Sequence, residues 1–309
     1  MALLFKTSSD RGPWWRAEFK KALPDLEFRL FPELGGKEDI EFALVWQPDP
    51  GFLKSLPNLR AIFSLGAGVD HILVDRDLPS GVPIVRLVDE QLTRQMTEYA
   101  VLYALSFHRQ APAYAEMQRQ KRWREFPQKM TNERRVGVMG VGEIGGAVAR
   151  ALASLGFDVA GWARTKREGA GFPVYAGRDR LYDFLARSDI VICVLPLTQE
   201  TRDILDARAF AAMPKGGYVI NIGRGPQVAE QDLIAALDKG HLAGAALDVF
   251  RAEPLPAASP LWAHPKIAVT PHIAAITDPR SALRQVVENI KRIRRGEAPL
   301  NVVDPKRGY

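Results

Sequence analysis

The sequence predicts an α/β protein made of two parallel-sheet units with helices packed on both faces, and three observations predict it. The chain has 309 residues, more than one hydrophobic core of common size organises. Apolar runs of strand length alternate with helical stretches along nearly all of it, the pattern of strand–helix–strand crossovers. One of those strands enters its helix through Gly140-Val141-Gly142-Glu143-Ile144-Gly145, a spacing used where a parallel strand turns tightly into a helix.

The elements follow in order. Leu3 to Lys6, Phe42 to Val45 and Ala61 to Ser64 are apolar runs of strand length, with Ile84-Val85-Arg86 a further short strand. Trp15 to Leu23 is helical and stops at Pro24, which cannot continue a helix. A long helix is predicted from about Leu92 to Ala111, with Met96, Tyr99, Ala100, Tyr103, Ala104 and Phe107 at helical spacing, ending before Pro112. A second series starts at Arg135: strand Val136 to Met139, helix Glu143 to Leu155, strand Asp158 to Trp162. Strands Ile190 to Val194, Tyr218 to Ile222, Ala243 to Val249 and Ile267 to Thr270 follow, with a helix at Gln231 to Lys239 among them. A last helix covers about Pro279 to Arg295. In such an architecture the cleft between the two units is the expected site.

Composition removes several classes. A chain 47% hydrophobic and 25% charged is ordinary for a globular protein. No apolar run reaches the ~20 residues that span a bilayer, and Met1 to Asp10 lacks the features of a signal peptide, so a cytoplasmic location is expected. The single cysteine, Cys193, excludes an intrachain disulfide and a cysteine-rich metal site, and its apolar run reads as a buried strand. No metal-ligand cluster is evident. The net charge of +6 suits anionic small molecules. The basic clusters Lys121-Arg122-Trp123-Arg124 and Lys291-Arg292-Ile293-Arg294-Arg295 sit in no nucleic-acid motif, and the second reads as a solvated helix face.

The glycine turn has the context that gives the motif meaning. Gly140 permits the tight turn, Gly142 lets backbone approach a pyrophosphate, and Gly145 lets helix and strand pack closely. The helix start at Glu143 and Ile144 attracts phosphate charge. A dinucleotide is therefore the expected ligand. At the end of the next strand, where a carboxylate would bind the ribose hydroxyls of NAD, the chain has Ala163 followed by Arg164, Thr165 and Lys166. A guanidinium there pairs with the 2′-phosphate that a carboxylate would repel, so NADPH is expected over NADH.

Three later segments bring polar groups to strand ends, where ligands of open α/β sheets bind: Asn221-Ile222-Gly223-Arg224-Gly225, Leu247-Asp248-Val249-Phe250-Arg251-Ala252-Glu253-Pro254-Leu255, and Thr270-Pro271-His272-Ile273-Ala274-Ala275. Singly, an Arg, a Glu and a His each have bland structural readings. With these segments, Leu65-Gly66-Ala67-Gly68-Val69-Asp70, the glycine turn and Leu195-Pro196-Leu197-Thr198-Gln199-Glu200-Thr201 in place, the sequence resembles the D-isomer-specific 2-hydroxyacid dehydrogenases over nearly its whole length. Ala43-Leu44-Val45-Trp46, Pro271 to Thr277 and Arg307-Gly308-Tyr309 make it most similar to the members that reduce glyoxylate and hydroxypyruvate.

The resemblance implies a Rossmann-type doubly wound parallel sheet domain, residues 100–279, inserted in a smaller flavodoxin-like α/β substrate domain of residues 1–99 and 280–309. It implies His272 as acid-base group, Glu253 as its hydrogen-bonded partner, and Arg224 as the group that binds the substrate carboxylate and polarises the 2-oxo group. Backbone N–H groups around Ala67 and Gly68 would hold the carboxylate, with Trp46 beside the substrate. Leu195, Pro196, Thr201, Ile222, Gly223 and Asp248 would line the cofactor, Asp248 near the carboxamide, although its strand-end location alone fits a turn role as well. A homodimer is implied, with Trp123 in the region of subunit contact. The roles of Arg86 and His71 stay open, while His108, His241 and His264 read as structural. Two alternatives remain beside the reductase: a same-fold dehydrogenase of another small acid, such as formate or phosphite, and a corepressor-like protein that binds a dinucleotide without catalysis. The formate enzymes of this fold carry Gln where Glu253 stands here.

Overall fold

The structure, a computed structural model, describes residues 1–7 and 11–304; the Arg307-Gly308-Tyr309 segment lies outside the described residues. The chain divides into two compact units, one of Met1–Leu92 with the residues from Thr277 onward, the other of Thr93–Ile276.

The first unit contains β1 (Ala2–Lys6), α1 (Gly12–Ala22), β2 (Glu27–Leu30), β3 (Ile40–Val45), β4 (Ala61–Ser64), α2 (Asp70–Leu73) and β5 (Ile84–Val85). Its five strands are all parallel in the order β2-β1-β3-β4-β5, the flavodoxin-like arrangement. β2, absent from the predicted elements, is an edge strand whose charged residues hide its strand character: Arg29 is buried with its guanidinium on Glu27 and Asp39 at 2.7 and 3.1 Å.

Between the two strand series run α3 (Glu90–His108) and α4 (Ala111–Arg119). Here the prediction of one helix ending at Pro112 is corrected. Gln110 adopts a left-handed φ of 56° and Pro112 starts the next helix, where its missing N–H costs nothing.

The second unit holds β6 (Arg135–Met139), α5 (Glu143–Ser154), β7 (Asp158–Ala163), β8 (Val174–Ala176), α6 (Leu181–Ala186), β9 (Ile190–Cys193), α7 (Ala207–Ala212), β10 (Gly217–Asn221), α8 (Glu230–Asp238), β11 (Leu242–Leu247) and β12 (Ile267–Val269). The seven strands are parallel in the order β12-β11-β10-β9-β6-β7-β8. This is the doubly wound order, in which the chain leaves β6 to one side and returns on the other at β9. Strands buried on both faces read as continuous apolar runs, which is why Ile190–Cys193 and Val136–Met139 were legible and are fully buried. Cys193 is one of them, and burial pushes its thiol up to about 12, which leaves it an inert core residue.

The final helix, α9 (Pro279–Arg294), returns to the first unit. Ala282, Val286, Ile290 and Ile293 bury one face against Trp15 and Phe19, each larger side chain worth ~1.5–3 kcal/mol. The basic cluster occupies the other face and is engaged in ion pairs: Arg294 with Asp25 at 2.9 Å, Arg292 with Glu297 at 3.4 Å, Arg295 with Glu297 at 2.7 Å. No helix among the described residues is long and apolar enough to cross a membrane.

Candidate active site

Because all seven strands of the second unit run the same way, their carboxyl ends share one edge, and the predicted residues of that unit gather there. The glycine turn lies where β6 and β9 meet, at the reversal of strand order. Gly140 has φ +91°, a conformation that L side chains rarely adopt, and donates its N–H to Trp162 O at 2.8 Å. A Cβ on Gly145 would stand 1.7 Å from Gly140 O, so only glycine lets α5 approach its strand. Gly142 is the opposite case: a Cβ there would meet nothing within 4 Å, and it leads into a helix whose first turn has no side-chain cap. An open approach to uncapped N–H groups at the positive end of a twelve-residue helix is what a pyrophosphate requires. The residues present therefore fit a dinucleotide.

Around the turn, β7 ends at the buried Ala163, and Arg164, Thr165 and Lys166 follow as exposed residues. Leu195 and Pro196 leave β9 beside Gly140, whose Cβ position is 3.2 Å from Leu195 Cδ2. Thr201 closes the Leu195–Thr201 loop on itself, its hydroxyl donating to Pro196 O at 2.8 Å and accepting Thr198 N–H at 2.8 Å. Ile222 and Gly223 are buried beneath the start of the Arg224 segment.

The chemical residues arrive from the next three strands. Arg224 leaves β10, Glu253 follows β11 and His272 follows β12. His272 Nδ1 and Glu253 Oε2 are 2.7 Å apart, each side chain about one-third exposed. Phe250 N–H donates to the other carboxylate oxygen at 2.9 Å. Burial alone would push the Glu253 carboxyl up; the hydrogen bonds from His272 and Phe250 N–H and the charges of His272 and Arg224 outweigh it and hold the group below its ordinary value. Glu253 is thus an ionised acceptor at neutral pH. Arg224 is tied to the same region through its neighbour, since Gly225 packs so closely on Phe250 that a Cβ would overlap it.

His272 is itself held in an unusual backbone state, with φ +56°, and strain of this kind persists where surroundings over-determine it. Asp248 supplies them. Fully buried at the end of β11, it accepts Thr270 Oγ1 at 2.6 Å, Ile273 N at 2.8 Å and Ala274 N at 2.8 Å, while its carbonyl takes His272 N–H at 2.8 Å. Tyr99 extends the chain through Thr270 at 2.7 Å. The Asp248 carboxylate thus organises the loop that carries His272, the turn role that its place at a strand end also allows. Gln227, unnoticed in the sequence, is equally buried: its Nε2 donates to Leu195 O at 2.8 Å and Pro196 O at 3.1 Å, and its Oε1 accepts Arg224 N–H at 2.8 Å. One side chain so joins the Leu195 loop to the Arg224 loop.

His108, His241 and His264 make contacts away from the His272–Glu253 pair. His108 is buried, with burial and then the charges of Arg134 and Arg109 disfavouring its protonated form. His241 Nε2 lies 2.9 Å from Phe210 O and 3.0 Å from Met213 O, carbonyls at the end of α7. His264 pairs with Asp238 at 3.3 Å.

In the first unit, Trp46 follows β3 and its indole covers Gly66, where a Cβ would lie 2.7 Å from Cζ3. The His71 ring lies tilted against Trp46 at 4.2 Å between ring centroids and accepts Gln47 N–H on Nδ1 at 3.2 Å. Ala67 and Gly68 are half-buried in the loop that His71 and Ser64 brace. Arg86 N–H donates to Asn301 O at 3.2 Å. Trp123 is 99% exposed.

A glycine turn at the switch point of a doubly wound sheet, with a His–Glu pair on the same edge, marks a dinucleotide-binding oxidoreductase. The chain belongs to the D-isomer specific 2-hydroxyacid dehydrogenase family, whose NAD binding domain matches residues 101–274. It is 40% identical to glyoxylate/hydroxypyruvate reductase A of Klebsiella pneumoniae strain 342, over the full length of both chains. Its structure resembles a D-isomer specific 2-hydroxyacid dehydrogenase from Xanthobacter autotrophicus Py2 solved with NADPH and MES (TM-score 0.94, 44% identity, covering 100% of this chain and 99% of that one). It also resembles the NADPH-dependent glyoxylate/hydroxypyruvate reductase of Sinorhizobium meliloti solved with NADP and sulfate (TM-score 0.92, 37% identity, 100% and 99% covered).

Proposed function

We propose that this protein is an NADPH-dependent reductase of small 2-oxo acids, converting glyoxylate to glycolate and hydroxypyruvate to D-glycerate. The observation that carries the reading is the 2.7 Å contact between His272 Nδ1 and an ionised Glu253 on the edge where Arg224 emerges. Full-length similarity to reductases with that name supports the substrate class. Structures of relatives with NADPH or NADP bound support the cofactor, as do Ala163 and Arg164 after β7.

The Gly140 turn would hold the pyrophosphate of the reduced dinucleotide, which when bound would supply the hydride that the carbonyl carbon needs. Glu253 accepts Nδ1–H of His272, which fixes the ring and leaves Nε2 to give its proton to the carbonyl oxygen. Arg224 binds the carboxylate and the 2-oxo oxygen and stabilises the charge that develops there. In the first unit, N–H groups of Ala67 and Gly68 bind the carboxylate and Trp46 bounds the substrate. Gly140, Gly142, Glu143, Ile144 and Gly145 cradle the pyrophosphate, and Leu195, Pro196, Ile222 and Gly223 line the cofactor, with Thr201 and Asp248 setting the loops behind them. The protein acts in the cytoplasm, where reduced dinucleotide is available.

His272→Asn tests the mechanism. Loss of the general acid lowers kcat about 100- to 10,000-fold, while NADPH titrated by fluorescence binds as in the wild type. Near-wild-type kcat in that variant refutes the proton-donor role, and no turnover by the unaltered protein with any 2-oxo acid favours a dinucleotide-binding protein without catalysis.

The working unit is a homodimer in this reading. It is supported by α4, which has no buried residue, and by the segment after it, where Trp123 is 99% and Met130 69% exposed. A monomer mass in light scattering at micromolar concentration overturns it.

A further inference from the structure

We propose that Arg178 is a second guanidinium of the 2′-phosphate site and works with Arg164 in selecting NADPH. The inference rests on the reading of Arg164 as a 2′-phosphate ligand and extends it to a residue that sequence spacing does not reveal.

The argument is topological first. β8 lies beside β7 in parallel, with Ala176 opposite Ala163, and Gly177 N–H extends the ladder by donating to Ala163 O at 3.0 Å. The chain leaving β8 is therefore abreast of the chain leaving β7, and Arg178 emerges next to the strand end from which Arg164 emerges. The exit is fixed in place: Gly177 has φ +88° and its carbonyl accepts the Trp162 indole N–H at 2.9 Å. A side chain at Gly177 would also meet Asp179 Oδ1 at 2.5 Å. Trp162 itself is buried in β7, so the turn is anchored to the sheet rather than to solvent.

The chemistry follows from what the guanidinium does there. Nη1 donates to Glu200 O at 3.1 Å, which orients the planar group while using one of its five N–H donors. Among the described residues Arg178 makes no ion pair, whereas Arg180, two residues on, pairs with Asp183 at 2.9 Å and lies over Tyr175. The charges of Arg164 and Arg178 also reach one exposed carboxylate, that of Glu200. The Glu200 carboxyl is held below its ordinary value by a hydrogen bond with Thr198, then by its own backbone, with burial opposing and the charges of both Arg164 and Arg178 assisting. The parallel register of β7 and β8 brings the two guanidiniums out side by side, and a phosphate, with three acceptor oxygens, is the anion that two such groups suit.

The test separates phosphate recognition from nucleotide binding in general. The full-length protein and its Arg178→Gln and Arg164→Gln variants are titrated calorimetrically with adenosine 2′,5′-bisphosphate and with 5′-AMP, and KM for NADPH and NADH is measured alongside. Arg178→Gln is expected to weaken the bisphosphate and raise the NADPH KM about tenfold, with AMP binding, the NADH KM and kcat at saturating NADPH unchanged. Wild-type affinity of Arg178→Gln for the bisphosphate overturns the proposal while Arg164→Gln still weakens it. Equal weakening of AMP and the bisphosphate also overturns it, because the role is then not one toward phosphate. If the unaltered protein fails to distinguish the two nucleotides and neither variant matters, the NADPH reading itself falls, and this one with it.

Discussion

Two loops of this chain have the same Gly-x-Gly spacing after a parallel strand: Gly66-Ala67-Gly68 after β4 and Gly140-Val141-Gly142 after β6. They are built for different reasons. Gly140 is glycine because its φ is +91°, whereas Gly66 is glycine because the Trp46 indole lies where a Cβ would go. The decisive difference comes five residues after the first glycine. In the second loop that residue is Gly145, packed onto Gly140 O, and a twelve-residue helix follows. In the first loop it is His71, whose ring reaches back to Ser64, and the helix is four residues long. Only the second therefore offers a full helix terminus to a phosphate. The first presents a short loop braced by side chains, suited to a small carboxylate. Glycine spacing is thus informative only together with the third glycine and the length of the helix behind it.

The largest expected effect comes from erasing that distinction at its source. Gly145→Ala places a methyl against backbone, which cannot rotate away, and overpacking of this kind costs about 3 kcal/mol. The variant is expected to lose several degrees of thermal midpoint and most of its NADPH affinity. Gly66→Ala meets only the Trp46 ring, a side chain that can yield, so its melting temperature should fall less. Differential scanning fluorimetry with and without NADPH ranks the two. A Gly145→Ala protein that melts and binds like the wild type removes the third glycine from the argument.

What was legible in the sequence follows the same logic. The parallel core strands and the glycine turn were visible because burial on both faces and backbone sterics leave a local imprint. Arg224, Glu253 and His272, each bland taken singly, form a plausible acid-base set because they arrive together at strand ends, and family resemblance supplies their separate roles. Other features left no local signal. β8 is a three-residue edge strand, too short for periodicity. α4 was hidden by Pro112, which terminates a helix or starts one depending on the residue before it. Gln227 and Arg178 look like ordinary polar residues of turns, and their meaning comes from strands that lie next to them in space. Asp248 was found, but its contacts show a carboxylate that organises the His272 loop, a role that depends on which N–H groups surround it.

The smallest and most selective effect is expected in the first loop. Ser64 is fully buried, and its hydroxyl is within 3.1 Å of Gly68 O, 3.2 Å of Gly66 N and 3.1 Å of His71 Nε2. Gln47 N–H occupies His71 Nδ1, so Nε2 carries the ring proton and donates to Ser64. The single hydroxyl hydrogen then goes to Gly68 O, and every hydrogen-bonding position of Ser64 is used. Ser64→Ala leaves three partners unmatched around Gly66 and Gly68, at about 1–3 kcal/mol for a buried group. If this loop holds the substrate carboxylate, KM for glyoxylate rises roughly tenfold, with NADPH affinity and the cofactor KM unchanged. Initial rates at saturating NADPH, paired with a cofactor titration, measure both. A change in NADPH affinity as large as the change in glyoxylate KM would mean that the two loops are not separate devices. An unchanged glyoxylate KM would remove Ala67 and Gly68 from the carboxylate site.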